Sequence, residues 1–315
     1  MTYPRKLTSD VMLLGNGYFS VYLVRRGDFY TLIECGISSV AEQVVRQIKS
    51  LSVDASKIQD LILTHAHADH ITGAPVLKKA MPWINVKTTS ETKAFLSKEK
   101  IQTLFIKDDL DIHSRLLELG AVDSGGGHRI SLEHVVDGVI HPGQILELGG
   151  EPPIEVLDAP GHCKGGVALW QPENKILFCS DYLGFYVPPD RFVPNFYVNY
   201  DDFRETFEYL GGLEPTWICP GHCGAYAGED AARYIDLSRA ELKWVADYIA
   251  DASSSPEKIE AANEILFGRY YVGEATMFSE ESTRTCMDLL IRRILSSKAH
   301  ASSQAAQKPW SNPDV

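Results

Sequence analysis

The chain has 315 residues, of which 42 are Asp or Glu and 30 are Lys or Arg, giving a formal net charge of −12. A composition with 44% hydrophobic and 23% charged residues is close to the globular average, and it excludes a disordered, collagen-like or coiled-coil protein. The negative charge argues against binding to nucleic acid or to a membrane surface, because both are polyanions. No apolar run approaches the roughly 18 residues that a membrane span needs.

The cysteines and the first residues bear on the cellular compartment. The spacing of the cysteines is not typical of a disulfide framework: they are Cys35, Cys163, Cys179, Cys219, Cys223 and Cys286. The opening sequence MTYPRKLTSD is not followed by the apolar core of a secretory signal. The sequence therefore predicts a cytoplasmic protein.

The first part of the chain predicts short strands separated by tight turns. Apolar or alternating runs occur at 13–14, 20–25 and 29–34, and glycines interrupt them. Apolar residues at helical spacing then predict a helix over 40–51. A short apolar run at 61–63 suits a buried strand, and it leads directly into the sequence THAHADH.

The middle of the chain, 107–134, predicts a helix followed by a flexible linker at the glycine run 124–127. A second series of elements follows, with strands at 145–148, 154–157, 167–170 and 176–179, a helix near 202–210 and a strand at 217–219. Two strand-rich halves that each carry helices predict two sheets packed face to face with helices outside.

After residue 228 the pattern becomes helical, with predicted helices at 229–250, 256–267 and 281–294. Ala, Ser, Gln and Pro dominate from residue 296 onward, which predicts a flexible tail. We therefore divide the chain into a main domain over 1–228, a helical segment over 229–298 and a tail over 299–315.

The strongest functional motif is His65-Ala66-His67-Ala68-Asp69-His70. Three imidazoles and a carboxylate lie within six residues, and a loop at a strand end can turn several of them toward one point. Imidazole and carboxylate ligands together suit Zn, Fe, Mn or Ni ions. A His-rich polar loop without a metal is the less favoured interpretation, because an ordinary chain rarely concentrates these residues directly after a buried strand.

Three further residues of metal-ligand type each follow a predicted strand. They are His162 after Ala159-Pro160-Gly161, Asp181 after Phe178-Cys179-Ser180 and His222 after Cys219-Pro220-Gly221. Strand ends are where a rigid scaffold presents functional side chains. Each residue alone is better explained as a structural residue or a helix cap, but their occurrence together with the first motif favours a metal site.

The order and context of these residues resemble the metallo-β-lactamase fold superfamily over about residues 10 to 228. The pattern of that family is HxHxDH followed by a His, an Asp and a last His, each at a strand end, and all seven positions are filled here. The resemblance implies an α/β fold, a four-layer αββα sandwich, to which the helical segment 229–298 is added. Helices in this place cover the active site in glyoxalase II, a member of the family.

The resemblance also implies two divalent metal ions, zinc first, with iron or manganese as alternatives. One ion would be held by His65, His67 and His162, and the second by Asp69, His70 and His222, with Asp181 bridging the two. Glu34 and Gly36 stand where many members have Asp and Gly in an early turn, and this difference lies outside the ligand set.

Two such ions would share a hydroxide that attacks a carbonyl, while one metal stabilises the developing oxyanion. Asp69 would orient the hydroxide and accept a proton, so that Asp69 and Asp181 are the predicted catalytic residues. No Ser or Cys nucleophile is needed. Cys163 and Cys223, each next to a ligand histidine, are predicted to be small packing residues behind the ligands.

The complete ligand set favours hydrolysis of a small thioester or related acyl ester, as in glyoxalase II and acyl-CoA thioesterases. Flavodiiron chemistry is disfavoured, because His67 stands where those enzymes carry Glu and no flavodoxin-like domain fits after residue 228. A lactonase, a mononuclear iron persulfide oxygenase and a regulatory member with a protein partner stay open, as does a homodimer. Short matches at 34–38 and 177–184 further resemble the quinolone-signal response thioesterases.

The segment 185–200 is rich in aromatic residues and prolines and follows Asp181 closely. It suits an apolar pocket wall for an aryl or acyl group, and packing on the core is an equally good interpretation. The remaining histidines have no ligand-type spacing and are predicted to be surface or packing residues: His113, His128, His134, His141 and His300.

Overall fold

A computed structural model of the chain describes residues 3–51, 53–123, 130–146 and 152–297. The predicted tail at 299–315 and the predicted linker at 124–127 lie outside these ranges, as do His128 and His300. Within the described residues the chain forms two large β-sheets and one short hairpin, with helices on the outer faces.

The first sheet contains seven strands in chain order. They are β1 (Arg5–Lys6), β2 (Val11–Gly15), β3 (Ser20–Arg26), β4 (Phe29–Ile33), β5 (Ile58–Ile62), β6 (Asn85–Thr88) and β7 (Gly138–Val139). Strands β1 to β4 are antiparallel and β4 to β7 are parallel. Helices connect the parallel strands: α1 (Ser38–Ser50), α2 (Ala68–Ile71), α3 (Ala74–Ala80), α4 (Ser90–Leu96) and α5 (Glu99–Glu118).

The second sheet has six strands in the order β15-β14-β11-β10-β9-β8. Their bounds are β8 (Ile145–Leu146), β9 (Ile154–Asp158), β10 (Val167–Gln171), β11 (Ile176–Ser180), β14 (Trp217–Pro220) and β15 (Tyr226–Ala227). Strands β11 and β14 are parallel, and the other pairs are antiparallel. The hairpin of β12 (Phe185–Val187) and β13 (Arg191–Val193) precedes α6 (Tyr200–Gly212).

Alternation along the strands builds the core between the two sheets. Every second residue of β2 and β3 is buried there together with residues of the second sheet, including Leu13, Tyr22, Val24, Val156, Leu169 and Phe178. The intervening residues point to the helices, so that Leu14 and Leu23 pack with Val44 and Ile48 of α1. Trp170 and Leu177 pack in the same way with Phe203 and Phe207 of α6. The predicted four-layer αββα sandwich is confirmed.

The predicted C-terminal helices are present, as α7 (Glu229–Ala252), α8 (Pro256–Tyr270) and α9 (Glu280–Leu295), with a 3-10 turn at Gly273–Met277 before α9. The Ser279 side chain caps α9 by accepting a hydrogen bond from the Ser282 backbone N–H at 3.1 Å. Buried residues of all three helices belong to the same core as α6. None of the described helices is long and apolar enough to cross a membrane.

The middle of the chain differs most from the sequence prediction. The helix predicted inside 107–134 begins earlier, at Glu99, and the strands Asn85–Thr88 and Gly138–Val139 were not predicted. These strands are only four and two residues long. They form because neighbouring strands pair with them, and they are too short to show an alternating apolar pattern of their own. The local sequence therefore does not predict them.

Candidate metal centre

The His65–His70 motif lies in the loop after β5 and in the short helix α2. Leu63 still pairs with the first sheet, because its N–H donates to the Lys87 carbonyl at 2.9 Å. Helix α2 then begins at Ala68, so Asp69 lies in its first turn and His70 in its last. The loop between β5 and α2 therefore carries His65 and His67, and α2 itself carries Asp69 and His70.

The other three residues lie at the same edge of the sandwich. Asp181 follows β11 directly, and His222 lies just after β14, whose end pairs with that of β11. His162 follows β9. Backbone hydrogen bonds join the two sheets at this edge: the Val167 N–H donates to the Thr64 carbonyl at 3.0 Å and the Ser20 N–H to the Gly221 carbonyl at 2.9 Å.

Three imidazole nitrogens form the first group of ligand atoms. His65 Nε2 lies 3.0 Å from His67 Nδ1 and 3.1 Å from His162 Nε2, and His162 Nε2 lies 3.0 Å from His67 Nδ1. His65 and His162 are fully buried, whereas His67 is partly accessible. The structure therefore brings together the three histidines that the sequence analysis grouped.

Asp69, His70 and His222 form the second group. His222 Nε2 lies 3.2 Å from His70 Nε2 and 3.4 Å from Asp69 Oδ2. Asp181 lies between the groups: its Oδ1 is 3.5 Å from His222 Nε2, and its Oδ2 is 3.7 Å from both His70 Nε2 and His162 Nε2. All seven residues that the sequence analysis selected thus meet at one place.

Hydrogen bonds on the far side of the rings fix the tautomers. His162 Nδ1 contacts the Asn195 carbonyl, and His222 Nδ1 lies 3.0 Å from the Tyr18 carbonyl. A carbonyl oxygen can only accept, so both Nδ1 atoms carry a proton, and both Nε2 atoms face the centre. Outer partners of this kind are typical of metal-binding histidines.

Glu34 anchors the centre from beneath. Its Oε2 accepts a hydrogen bond from His70 Nδ1 at 2.9 Å. Its Oε1 accepts from Thr64 Oγ1 at 2.6 Å and from Ser180 Oγ at 2.7 Å. The sequence analysis placed Glu34 outside the ligand set, and the only sign of this role was its position in the early turn. Through these hydrogen bonds Glu34 orients His70 and holds the loops that carry His65 and Asp181.

The electrostatics of the buried centre keep most of its imidazoles neutral. Burial and the neighbouring histidines lower the pKa of His65 well below its ordinary value, and burial and His162 lower the pKa of His67 to about 3. Burial also lowers the pKa of His162. His70 differs: burial opposes its charged form, but the carboxylates of Glu34, Asp69 and Asp181 outweigh burial and raise its pKa.

The two carboxylates of the centre are ionised at neutral pH. Burial alone would favour their protonated forms, but His70 and His222 outweigh it and lower the pKa of Asp69 to about 2. His222 and His70 likewise lower the pKa of Asp181 below its ordinary range. Anionic oxygens and neutral imidazoles are the forms in which these residues bind metal.

The donor set fits divalent cations. The ring nitrogens of His65, His67 and His162 face one another at 3.0–3.1 Å, and the tautomer of His162 leaves its Nε2 without a proton. The second group adds two imidazole nitrogens and a carboxylate. Mixed N/O ligand sets of this kind suit Zn, Fe or Mn.

A glycine permits the close approach of the two groups. A Cβ atom on Gly221 would lie 2.6 Å from His70 Cε1 and 3.3 Å from Asp181 Oδ1. Any side chain here would push His70 out of place. The Pro220-Gly221-His222 sequence therefore serves two purposes, because it ends β14 and leaves room for the neighbouring imidazole.

A cavity of about 340 Å³ opens beside the centre and exposes His67, Asp69, Asp181 and His222. Its other walls come from α5, from the 3-10 turn and from α9, and they include Leu104, Phe105, Ile112, Phe278, Met287 and Leu289. This volume lies within the usual range of small-molecule sites. The lining is mainly apolar away from the metal ligands.

The aromatic segment 185–200 is divided between two roles. Phe185 and Tyr197 line the cavity, whereas Phe192, Phe196 and Tyr200 are buried in the core beneath it. Both interpretations of the segment therefore apply, each to different residues. The segment also contributes Asn195, whose Nδ2 donates to Asp181 Oδ2 at 3.3 Å. The sequence analysis gave Asn195 no role, and its surroundings in the sequence offered no indication of one.

The cysteines next to ligand histidines are protonated thiols. Burial raises the pKa of Cys163 and raises that of Cys223 well above the ordinary value, so neither is a thiolate at neutral pH. All six cysteines are free. Among the other histidines, His113 is buried in α5, and His134 and His141 are exposed.

The fold and the site define a class of protein: an αββα sandwich with a cluster of His and Asp residues, suited to divalent ions, at one edge of its sheets. The family model of the metallo-beta-lactamase superfamily matches residues 14–222. The chain belongs to that superfamily, whose members are mostly metal-dependent hydrolases.

Individual relatives are distant. The beta-lactamase-like protein 2 homolog of Caenorhabditis elegans is 24% identical over 206 residues, which are 64% of this chain and 55% of that protein. The probable metallo-hydrolase YqjP of Bacillus subtilis is 26% identical over 222 residues, covering 64% of this chain and 66% of YqjP. The matches thus span between half and two thirds of these relatives.

A solved structure confirms the fold over more of the chain. The metallo-beta-lactamase family protein of Thermus thermophilus has a TM-score of 0.61 and 17% identity, and the match covers 91% of this chain and 94% of that one. The likeness extends over most of the length of both proteins.

Proposed function

We propose that the protein is a dinuclear metal-dependent hydrolase that cleaves a small thioester or related acyl ester. One observation carries the proposal: two groups of buried ligand atoms, with Asp181 between them, open onto a single cavity that is otherwise mainly apolar. Such an arrangement suits chemistry at a polar centre on a substrate whose remaining part is apolar.

In this proposal His65, His67 and His162 hold one divalent ion, Asp69, His70 and His222 hold the other, and Asp181 contacts both. Ions bound there would lower the pKa of a water molecule toward neutrality and stabilise negative charge on a carbonyl oxygen. Zinc is the first choice for this donor set, with iron and manganese as alternatives.

The residues around the ions have separate tasks. Asp69 faces the cavity as an ionised carboxylate, where it can orient a water molecule by accepting its proton in a hydrogen bond. Asn195 holds Asp181 through its side chain and His162 through its backbone carbonyl. Tyr197 in turn donates to Asn195 Oδ1 at 3.0 Å. Asp69 and Asp181 are thus the proposed catalytic residues.

The C-terminal helical segment, 229–298, acts in this proposal as the cover of the site, added to a metal-binding domain over 1–228. Phe278, Ser279, Thr283 and Met287 support it, because they line the cavity that the ligands open into. The six free cysteines support a cytoplasmic location. We propose a small acyl compound as the partner, with neither nucleic acid nor membrane binding.

Metal analysis combined with a substrate panel tests the proposal. Metal-loaded protein is incubated with acyl-CoA thioesters, glutathione thioesters, simple aryl esters and lactones, and the metal-stripped protein serves as the control. We expect two metals per chain and hydrolysis of at least one thioester or ester that is lost on stripping. Two bound metals with no hydrolysis of any compound would contradict the proposal.

The alternatives give different results in the same experiment. Preferential turnover of lactones would indicate a lactonase. One iron per chain and oxygen consumption with a persulfide would indicate a mononuclear oxygenase. A cellular effect that survives Asp181→Ala would indicate a regulatory member that acts through a protein partner. The resemblance of this chain to the quinolone-signal response thioesterases predicts that it hydrolyses a thioester in this panel.

A further inference from the structure

We infer that the acyl group cleaved at this site carries a positively charged amine, and that Asp108 binds the amine in the cavity beside the metal centre. The inference rests on the proposed function, because it assumes that the cavity holds the acyl group. It adds a substrate class and a specificity residue that neither the motif nor the family membership supplies.

The charge of the cavity wall points to a cation. Among the described residues that line the cavity, none is Lys or Arg, and the acidic residues outside the ligand set are Asp108 and Asp111 on α5. Asp111 lies 3.6 Å from Lys107, and both of these side chains are more than half exposed. Asp108 is therefore the acidic group that the cavity itself presents.

Asp108 is poorly satisfied by the protein. It is half-buried, and the hydrogen bonds and ion pairs found among the described residues leave its carboxylate without a partner. Burial, followed by the charge of Asp69, raises its pKa above the ordinary value, and the nearby charge of Lys107 offsets only part of this effect. A carboxylate that loses water without gaining a partner is costly, and a bound cation would remove that cost.

The aromatic lining provides independent support. Phe105, Phe185, Tyr197, Tyr270 and Phe278 all contribute to the cavity wall. Aromatic faces attract ammonium groups, and a carboxylate among several aromatic rings is a common means of binding them. The Tyr270 hydroxyl already donates a hydrogen bond to Glu241 Oε1 at 2.7 Å. This side chain therefore offers the cavity its aromatic ring and not its hydroxyl group.

The size of the cavity connects the amine site to the reaction. Asp108 lines the same space of about 340 Å³ as Asp69, Asp181 and His222. One small molecule can therefore place a carbonyl at the centre and an ammonium group at Asp108. A leaving group rich in phosphate finds no Lys or Arg among the described lining residues, so we expect such a group to lie outside the cavity.

Binding of three matched acids tests the inference without requiring turnover. Metal-loaded protein is titrated calorimetrically at pH 7.5 with 4-(aminomethyl)benzoate, 4-ethylbenzoate and terephthalate. These acids have similar size and differ in the charge of the para group, which is positive, neutral and negative respectively. We expect the aminomethyl compound to bind about tenfold more tightly than the ethyl compound, a difference of about 1.4 kcal/mol, and terephthalate to bind most weakly.

Two variants locate the preference. Asp108→Asn keeps the shape of the side chain and removes its charge, so the ratio of the two affinities is expected to fall from about ten to near one. Glu99→Gln removes the same charge from an exposed position on the same helix, outside the cavity, and is expected to preserve the ratio. Circular dichroism and metal content verify that both variants are folded and loaded.

The outcomes separate this inference from the proposed function. Equal binding of the aminomethyl and ethyl acids, or an unchanged ratio in Asp108→Asn, would overturn the inference. The phenyl esters of the same three acids are then offered as substrates. If the affinity order holds but no ester is cleaved, the cation site stands and the hydrolase proposal fails. If the neutral ester is cleaved fastest, the hydrolase proposal stands and the inference fails.

Discussion

The metal centre and the cavity beside it are built in different ways. The centre consists of short loops at strand ends, most of its candidate ligands are buried, and the rings are held by hydrogen bonds that they donate to Glu34 and to the carbonyls of Tyr18 and Asn195. The cavity walls come from α5, the 3-10 turn and α9, and Leu104 there is 48% exposed. Chemistry and specificity therefore lie on separate parts of the molecule. We expect a substitution in the cavity wall to leave the metal content unchanged, and a substitution in the centre to act through the metals.

Removal of a ligand should produce the largest effect and should act on metal content. His162→Ala deletes one nitrogen of the first group, so we expect about one metal per chain instead of two. Hydrolysis should fall about a thousandfold, because a displaced ion no longer activates water. Elemental analysis and kcat on the best ester of the panel measure both changes. Two metals retained in the variant would show that metal content does not depend on this residue of the centre, and this would contradict the separation of centre and cavity.

Loss of the charge that orients His70 should have the next largest effect. Glu34→Gln keeps an oxygen that accepts hydrogen bonds from Thr64 and Ser180. It removes the negatively charged oxygen that accepts a hydrogen bond from His70 Nδ1. Outer partners of metal-binding histidines usually contribute 10–100-fold to metal affinity, and we expect a loss of about this size. Competition with a chelator measures it.

The matched variant for this position is Glu34→Asp, which keeps the negative charge on a shorter side chain. We expect it to retain more affinity for metal than Glu34→Gln. Equal affinities of Glu34→Gln and the unaltered protein would show that the carboxylate is not needed to orient His70.

Acid should destabilise the metal-free protein through the centre. The folded-state pKa values of His65, His67 and His162 are lowered, so below about pH 6.5 the unfolded chain takes up protons that these residues do not. Stability is therefore lost as pH falls. The raised pKa of His70 would increase stability as pH falls, but only this one residue acts in that direction, whereas three histidines decrease stability.

We expect the free energy of unfolding to fall by on the order of 2 kcal/mol between pH 7.5 and pH 5.5. Urea denaturation of chelator-treated protein measures it. His67→Ala should reduce the difference, and His134→Ala, which removes an exposed histidine, should not. A stability that is constant or higher at pH 5.5 would contradict the neutral state of the three imidazoles.

Truncation of the cavity wall should have the smallest effect and should leave the metals in place. Phe278→Ala removes a ring that lines the cavity 6.2 Å from the ring of Phe185. The substrate loses apolar contact, so we expect kcat/KM to fall about tenfold or less, mostly through KM, with two metals retained. Ile265→Ala, an exposed residue of α8, is the control for side-chain truncation. Loss of metal from Phe278→Ala would show that the two regions are not separable.

The sequence predicted the centre better than the cavity, for a physical reason. His65, His67, Asp69 and His70 lie within one motif and each remaining residue closely follows an apolar run, so the seven candidates could be selected from the sequence. The family resemblance then divided them into two groups. Asn195 and Glu34 act through hydrogen bonds to residues distant in sequence, and these contacts form only when the sheets pack. The two packed sheets with helices outside followed from the same apolar runs, and the resemblance identified them as an αββα sandwich.

The cavity could not be predicted in the same way. Asp108 lies in a helix whose start was placed too late, and Phe278 follows a 3-10 turn that was not predicted. Their common surface exists only because α5, the 3-10 turn and α9 border the same cavity. Residues such as Phe185 and Phe196 share one aromatic segment but face the cavity and the core respectively, and composition alone could not separate them.

Anomalous X-ray scattering from crystals of metal-loaded protein, recorded above and below the absorption edge of the bound metal, tests the central claim most directly. We predict two peaks, one among His65, His67 and His162 and one among Asp69, His70 and His222, with Asp181 in contact with both. A single peak, or metal bound elsewhere, would contradict a dinuclear centre formed by these seven residues.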